Sequence, residues 1–264
     1  MTILAFYFSG TGNTKFVVES MVEAFSKLDV QMEAISIESD QAMDVDKINA
    51  ADYILFAYPV YGAMAPMIMW RFVKEISPHL EDKKAMVVAT QMMFSGDGGA
   101  YLARILRKCK AEIVSIEHFI MPNNLSDVRM LRTRNGDENR KRIEKTLQSI
   151  ELYCLDTSKK RLFKRGDGVG SILLGCTTRI PFSKMEKKLT KNVKFHKDRC
   201  TLCGDCIALC PVQNLMMGEG QIDQKGDCTL CYRCVNRCPE KAISLLASKP
   251  PKSQYLGVNF KDRK

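Results

Sequence analysis

Apolar positions along this chain follow two rhythms that alternate. Residues 3–8, ILAFYF, form an unbroken apolar run, and comparable runs recur near 31–37, at 53–58 (YILFAY), at 84–90 (KAMVVAT) and at 112–121 (EIVSIEHFIM). Short runs rich in Ile, Val, Phe and Tyr read as strands buried on both faces. Between them the apolar residues take helical spacing. From Lys15 to about Leu28 they are Phe16, Val17, Met21, Val22 and Phe25, and further helical stretches cover 64–76, 100–109 and about 138–154. Strands alternating with helices predict a parallel sheet covered by helices on both faces. No window approaches the roughly 20 apolar residues of a membrane span. The N-terminus lacks a basic leader and its apolar run is short, so a cytoplasmic location is expected.

Ligands of such sheets sit at the carboxyl ends of the strands, where strand order reverses. The first strand ends in SGTGNT, residues 9–14, before a helix begins. A turn from strand to helix offers unpaired N–H groups and the positive end of a helix dipole, which suits a phosphate. Counting from Gly10, both the P-loop and the dinucleotide fingerprint fail at Lys15. What remains is a cradle of hydroxyls and amides from Ser9, Thr11, Asn13 and Thr14. Gly10 and Gly12 let the backbone approach closely. A terminal phosphate monoester fits that chemistry.

The third strand ends in Pro59, Val60, Tyr61 and Gly62, and the fourth in QMMFSGDGGA, residues 91–100. In these loops Tyr61, Met92, Met93 and Phe94 offer flat or soft apolar surface. Phosphate at one end and an aromatic ring system at the other describe flavin mononucleotide (FMN). On these loops, residues 1–155 resemble a short-chain flavodoxin. The resemblance implies a doubly wound five-stranded parallel sheet in the order 2-1-3-4-5. It also implies that FMN is held by residues 9–14, by 59–62, and by Gln91, Met92, Met93, Phe94, Gly96, Asp97, Gly98 and Gly99.

Eleven cysteines change the picture further. Eight lie between residues 200 and 238, while Cys109, Cys154 and Cys176 are scattered and read as small buried hydrophobes. Cys200, Cys203, Cys206 and Cys210 spell C-x2-C-x2-C-x3-C-P, and Cys228, Cys231, Cys234 and Cys238 repeat it at an offset of 28 residues. Zinc favours separated C-x2-C pairs rather than such triplets. The run resembles that of bacterial two-cluster ferredoxins, in which the fourth cysteine of each run serves the other cluster. The resemblance therefore implies one [4Fe–4S] cluster on Cys200, Cys203, Cys206 and Cys238, and a second on Cys228, Cys231, Cys234 and Cys210. Residues 193–247 are thus expected to form a small α+β ferredoxin-like domain. The whole resembles the flavodoxin–ferredoxin fusion proteins of anaerobes.

The net charge of +10 belongs mainly to what lies between and after these parts. Residues 1–155 carry −2, residues 156–192 carry +7, residues 193–247 carry +1 and residues 248–264 carry +4. Neither domain has the charge of a nucleic-acid binder. Residues 156–192 read as a basic interdomain linker whose apolar Ile172, Leu173, Leu174, Ile180 and Phe182 pack between the domains. Residues 248–264 read as a basic tail. No catalytic constellation appears, although Tyr61 or Asp97 could donate a proton to a flavin. The leading expectation is an electron carrier that serves protein redox partners. The alternative is a flavin-dependent reductase of a small substrate, with the ferredoxin-like part as its electron inlet.

Overall fold

The computed structural model describes residues 1–128, 130, 131 and 136–258. Five parallel strands, β1 (Thr2–Tyr7), β2 (Gln31–Ser36), β3 (Tyr53–Pro59), β4 (Lys84–Gln91) and β5 (Glu112–Ile120), form one sheet in the order β2-β1-β3-β4-β5. This is the expected order, and each strand lies within a residue of the run that predicted it. Around the sheet lie α1 (Asn13–Ser26), α2 (Val45–Ala50), α3 (Met67–Ile76), α4 (Gly98–Lys108) and α5 (Gly136–Ser158). The short helix α2 escaped the periodicity because it spans fewer than two turns. Its signal was local: the Asp44 carboxylate caps it by accepting from the Asp46 and Lys47 N–H groups.

Strand alternation explains why the strand sequences are apolar throughout. Leu4, Phe6, Ile54, Phe56 and Val87 face one side and meet Met69, Phe72, Leu102 and Leu106 from α3 and α4. Ile3, Ala5, Leu55, Met86 and Val88 face the other and meet Phe16, Met21, Phe25, Ile150 and Tyr153 from α1 and α5. Cys154 is fully buried in this second core, and Cys109 packs against the first. Both behave as the small hydrophobes the sequence suggested.

The segment read as a linker is mostly helix. Its 21-residue α6 (Val169–Leu189) turns Ile172, Gly175, Cys176, Arg179, Phe182 and Glu186 toward the protein, while Leu173, Leu174 and Ile180 face outward. Only part of the expected interdomain packing is therefore present, because spacing along a helix sends neighbouring apolar residues to opposite faces.

Beyond it, β6 (Lys194–Phe195) pairs antiparallel with the last strand, Ile243–Ser244, and β7 (Leu215–Met217) with β8 (Ile222–Gln224). Two short helices, α7 (Asp205–Ala208) and α8 (Arg233–Arg237), complete this part over a core of Val193, Leu215, Ile222, Val235, Ile243 and Leu245. The 28-residue duplication is visible in the backbone. Leu202 and Leu230, Gly204 and Tyr232, and Gln213 and Lys241 are pairs at that offset, and all six have positive φ. Each cysteine run thus passes through the same left-handed positions, two before its short helix and one after it.

Candidate functional site

The phosphate-type cradle sits where β1 gives way to α1. Gly12, at φ +98°, caps the helix in a left-handed conformation that favours glycine, and its N–H donates to Ser9 Oγ at 3.1 Å. The first-turn N–H groups of Asn13, Thr14 and Lys15 have no acceptor within the helix. The loop's side chains are already positioned by the protein. Thr14 and Thr90 hydroxyls pair at 2.8 Å, and Thr11 Oγ1 accepts from Asn124 Nδ2 at 2.9 Å. Asn13 donates to the Pro122 carbonyl at 2.9 Å and accepts from the Tyr255 hydroxyl at 2.5 Å.

A cleft opens above this cradle. Ser9, Gly10, Thr11, Asn13, Thr14, Pro59, Val60, Tyr61, Gly62, Gln91 and Met92, all of them candidates from the sequence, line it. The Tyr61 hydroxyl is buried in the protein without a hydrogen-bond partner, and burial holds its pKa well above the ordinary value. The free amides at one end of the cleft and the flat or soft side chains of Tyr61 and Met92 in its walls fit a phosphorylated aromatic ligand such as FMN.

The far part of the fourth-strand loop does something else. Met93 and Phe94 are 61% and 67% exposed and do not line the cleft. Asp97 is fully buried, where its carboxylate accepts from Arg104 and Arg179, so it clamps α6 to α4. A Cβ on Gly96 would sit 2.7 Å from Gly175 Cα, so these two glycines let the loop and α6 touch. Gly98 gives its carbonyl to the buried Tyr58 hydroxyl at 2.8 Å, and the Gly99 N–H donates to His118 Nε2 at 2.9 Å. Burial lowers the His118 pKa to about 4, which keeps it a neutral acceptor. Gly96, Asp97, Gly98 and Gly99 therefore seat helices rather than touch the cleft, and Asp97 is held in ion pairs away from it.

The cleft also has walls that the sequence did not announce. Asn123, Asn124 and Leu125 follow β5, a strand-end position that could have flagged them. Phe182 of α6 and Leu230, Tyr232 and Leu246 from the cysteine-rich part carried no such signal.

The eight clustered cysteines divide into two cavities. One is lined by Cys200, Cys203, Cys206 and Cys238; the other by Cys210, Cys228, Cys231 and Cys234. Burial pushes the thiols of Cys206 and Cys231 up to about 11 and that of Cys228 to about 12, so a bound metal centre must displace their protons. Among the described residues, no three His, Cys, Asp or Glu side chains close on one ion-sized point. The thiols of each set stand around a space instead, which fits a cluster with several atoms.

The second cavity touches the cleft directly. Tyr232 lines both, and a Cβ on Gly10 would overlap the Cys231 carbonyl oxygen. Arg233, next to Cys234 in the sequence, reaches across this contact. It donates to the Ser9 carbonyl at 2.9 Å and the Gly10 carbonyl at 3.2 Å, and grips Glu38 through two bonds of 2.7 Å. Asp127, after β5, accepts from the Leu245, Leu246 and Ala247 N–H groups and from the Tyr232 hydroxyl at 2.7–3.1 Å. Arg71 and Asp227 form a further bidentate pair. The segment read as a tail closes the joint: the Tyr255 N–H donates to Asn236 Oδ1 at 2.8 Å while its hydroxyl reaches Asn13 in the cradle.

Comparison with known proteins follows the same division. A model of the flavodoxin domain matches residues 4–120, and a model of the 4Fe-4S dicluster domain matches residues 199–243. The chain is a flavodoxin–ferredoxin fusion. A flavodoxin domain implies FMN and a dicluster domain implies two [4Fe–4S] clusters, and both are modules of electron transfer. Among solved structures, the fusion is similar to a flavodoxin from the domain Archaea at 17% identity, covering 61% of this chain and 99% of that one with a TM-score of 0.46. It is also similar to flavodoxin 2 from Bacillus cereus at 16% identity, covering 61% and 99% with a TM-score of 0.45. Flavodoxin from Megasphaera elsdenii shares 21% identity over 44% of this chain and 84% of that one, with a TM-score of 0.40. No curated protein matches the chain. Among the described residues, no helix is long and apolar enough to cross a membrane.

Proposed function

We propose that the fusion carries electrons along one internal path between its cysteine cavities and its flavin cleft, and exchanges them with protein redox partners. The observation that carries this reading is the direct contact of the second cysteine cavity with the cleft, through Tyr232 and through Cys231 against Gly10. When bound, the clusters supply one-electron chemistry and the flavin can hold one electron or two.

The residues divide the work. Cys200, Cys203, Cys206 and Cys238 hold the outer cluster, and Cys210, Cys228, Cys231 and Cys234 hold the cluster nearer the cleft. The free amides of the SGTGNT turn hold the phosphate, with Ser9 and Thr11 beside them. Tyr61 and Met92 flank the ring system. Arg233 and Asp127 fix the distance between the two parts, so a diffusional encounter between separate carriers is replaced by a fixed contact. Cys203 is exposed while Cys231 is buried against the cleft, which makes the outer cavity the natural side for a partner protein to approach.

The rival reading, reduction of a small substrate at the flavin, finds less support. Asp97, one of its two candidate proton donors, is buried in ion pairs outside the cleft. Anaerobic turnover with carrier proteins as donor and acceptor tests the proposal. Exchange with carrier proteins is expected. Turnover with a small acceptor and none with carriers would favour the reductase instead.

A further inference from the structure

Helix α6 shows a second face whose chemistry the electron path does not use. Its inner face meets the flavin site: Phe182 lies against Gly62 at the cleft, and Arg179 pairs with buried Asp97. Its outer face carries Val169, Leu173, Leu174, Ile180 and Met185, which are 83%, 70%, 47%, 55% and 52% exposed. Five large aliphatic side chains exposed on one helix are more than the isolated apolar residues of an ordinary surface.

The charges of the helix are equally one-sided. From Val169 to Thr178 there is no charged residue, and beyond it Lys184, Lys187 and Lys188 are exposed with no ion pair among the described residues. The only acid of the helix, Glu186, lies on the inner face, half-buried. Before the helix, Lys159, Lys160, Arg161 and Lys164 are exposed as well. An exposed aliphatic face that also carries lysines with no ion pair among the described residues complements a surface that is anionic and apolar at once.

We propose that this face of α6 seats the fusion on an anionic lipid surface, with the aliphatic residues at the boundary between headgroups and acyl chains and the lysines at the phosphates. Residue types favour lipid over an acidic protein. Interfaces between proteins are depleted in lysine and rich in aromatic residues, Met and Arg, whereas this face offers Leu, Ile, Val and Lys with a single Met. The attachment is peripheral. It lies one helix diameter, roughly 10 Å, from the cleft that the opposite face covers.

Co-sedimentation of the full, cofactor-loaded chain with phosphatidylcholine vesicles, with and without phosphatidylglycerol, tests this at low ionic strength. Binding is expected with phosphatidylglycerol and is expected to weaken as salt is raised. Replacing Lys184, Lys187 and Lys188 together by Gln should weaken it about a hundredfold. The double change Leu173→Gln and Ile180→Gln should weaken it roughly tenfold or more, with flavin and cluster absorbance unchanged. Failure to bind phosphatidylglycerol vesicles would overturn the proposal. So would binding that needs the lysines but ignores Leu173 and Ile180, which is how a docking site for an acidic protein would behave.

Discussion

Replacing Gly10 by Ala perturbs the joint between the two halves at its tightest point. A β-carbon there would overlap the Cys231 carbonyl oxygen and lie 3.0 Å from Cys231 Cβ and 3.1 Å from its carbonyl carbon. The obstacle is main chain on both sides, so no rotamer change relieves it. Either the cradle or the second cysteine loop must retreat, which weakens the Arg233 bonds to Ser9 and Gly10. Overpacking of this kind costs about 1–3 kcal/mol, and each kcal/mol lowers the thermal midpoint of a chain this size by roughly 2–4 °C. Gly12→Ala is the control. Its nearest neighbour would be 3.9 Å away, so only the left-handed backbone resists, at about 1–2 kcal/mol. Thermal unfolding followed in the visible bands, together with anaerobic flavin reduction, separates the two. Both variants should melt earlier, but at equal flavin occupancy only Gly10→Ala should slow electron transfer to the flavin. If Gly10→Ala transfers electrons at the parental rate, the contact is not part of the path and the reasoning fails.

Other outcomes follow from the same geometry. Cys238→Ser should damage the cluster shared with Cys200, Cys203 and Cys206, and Cys210→Ser the other; electron paramagnetic resonance of the reduced variants would expose an uncrossed arrangement. Asp127→Asn removes the charge and leaves at least one of its four donors facing an amide N–H instead of an acceptor, and should destabilise the joint by about 1–3 kcal/mol in urea unfolding; an unchanged midpoint would remove Asp127 from the joint. His118 has a folded pKa of about 4, lowered by burial from 6.5. Below pH 6.5 the unfolded chain gains a proton that the folded chain refuses, so stability falls by about 3 kcal/mol between those limits. His118→Gln should flatten that part of the pH profile, and an equally steep profile in the variant would assign it to other groups.

Much of this molecule is legible in its sequence because local chemistry decided it. The apolar runs marked all five strands of the main sheet, since strands buried on both faces leave no polar alternation to misread. SGTGNT announced the cradle because only a strand-to-helix turn needs those residues in that order. The rest depended on contacts between residues far apart in the chain. Gly96, Asp97, Gly98 and Gly99 looked like a ligand loop, yet they serve α4 and α6, because glycine allows close approach whether the neighbour is a cofactor or a helix. The basic stretch around Leu173 hid a long helix, since apolar residues on two faces blur the periodicity that normally reveals one. Nothing local in Tyr232, Tyr255 or Asp127 showed that they would tie one half to the other.

The central claim is that both halves form one electron path, and anaerobic stopped-flow measurement tests it most directly. After rapid reduction of the clusters, the flavin absorbance should bleach in a first-order phase whose rate does not change with protein concentration. A rate that scales with concentration would mean that electrons cross between molecules, and would contradict the path through Tyr232 and the Cys231–Gly10 contact.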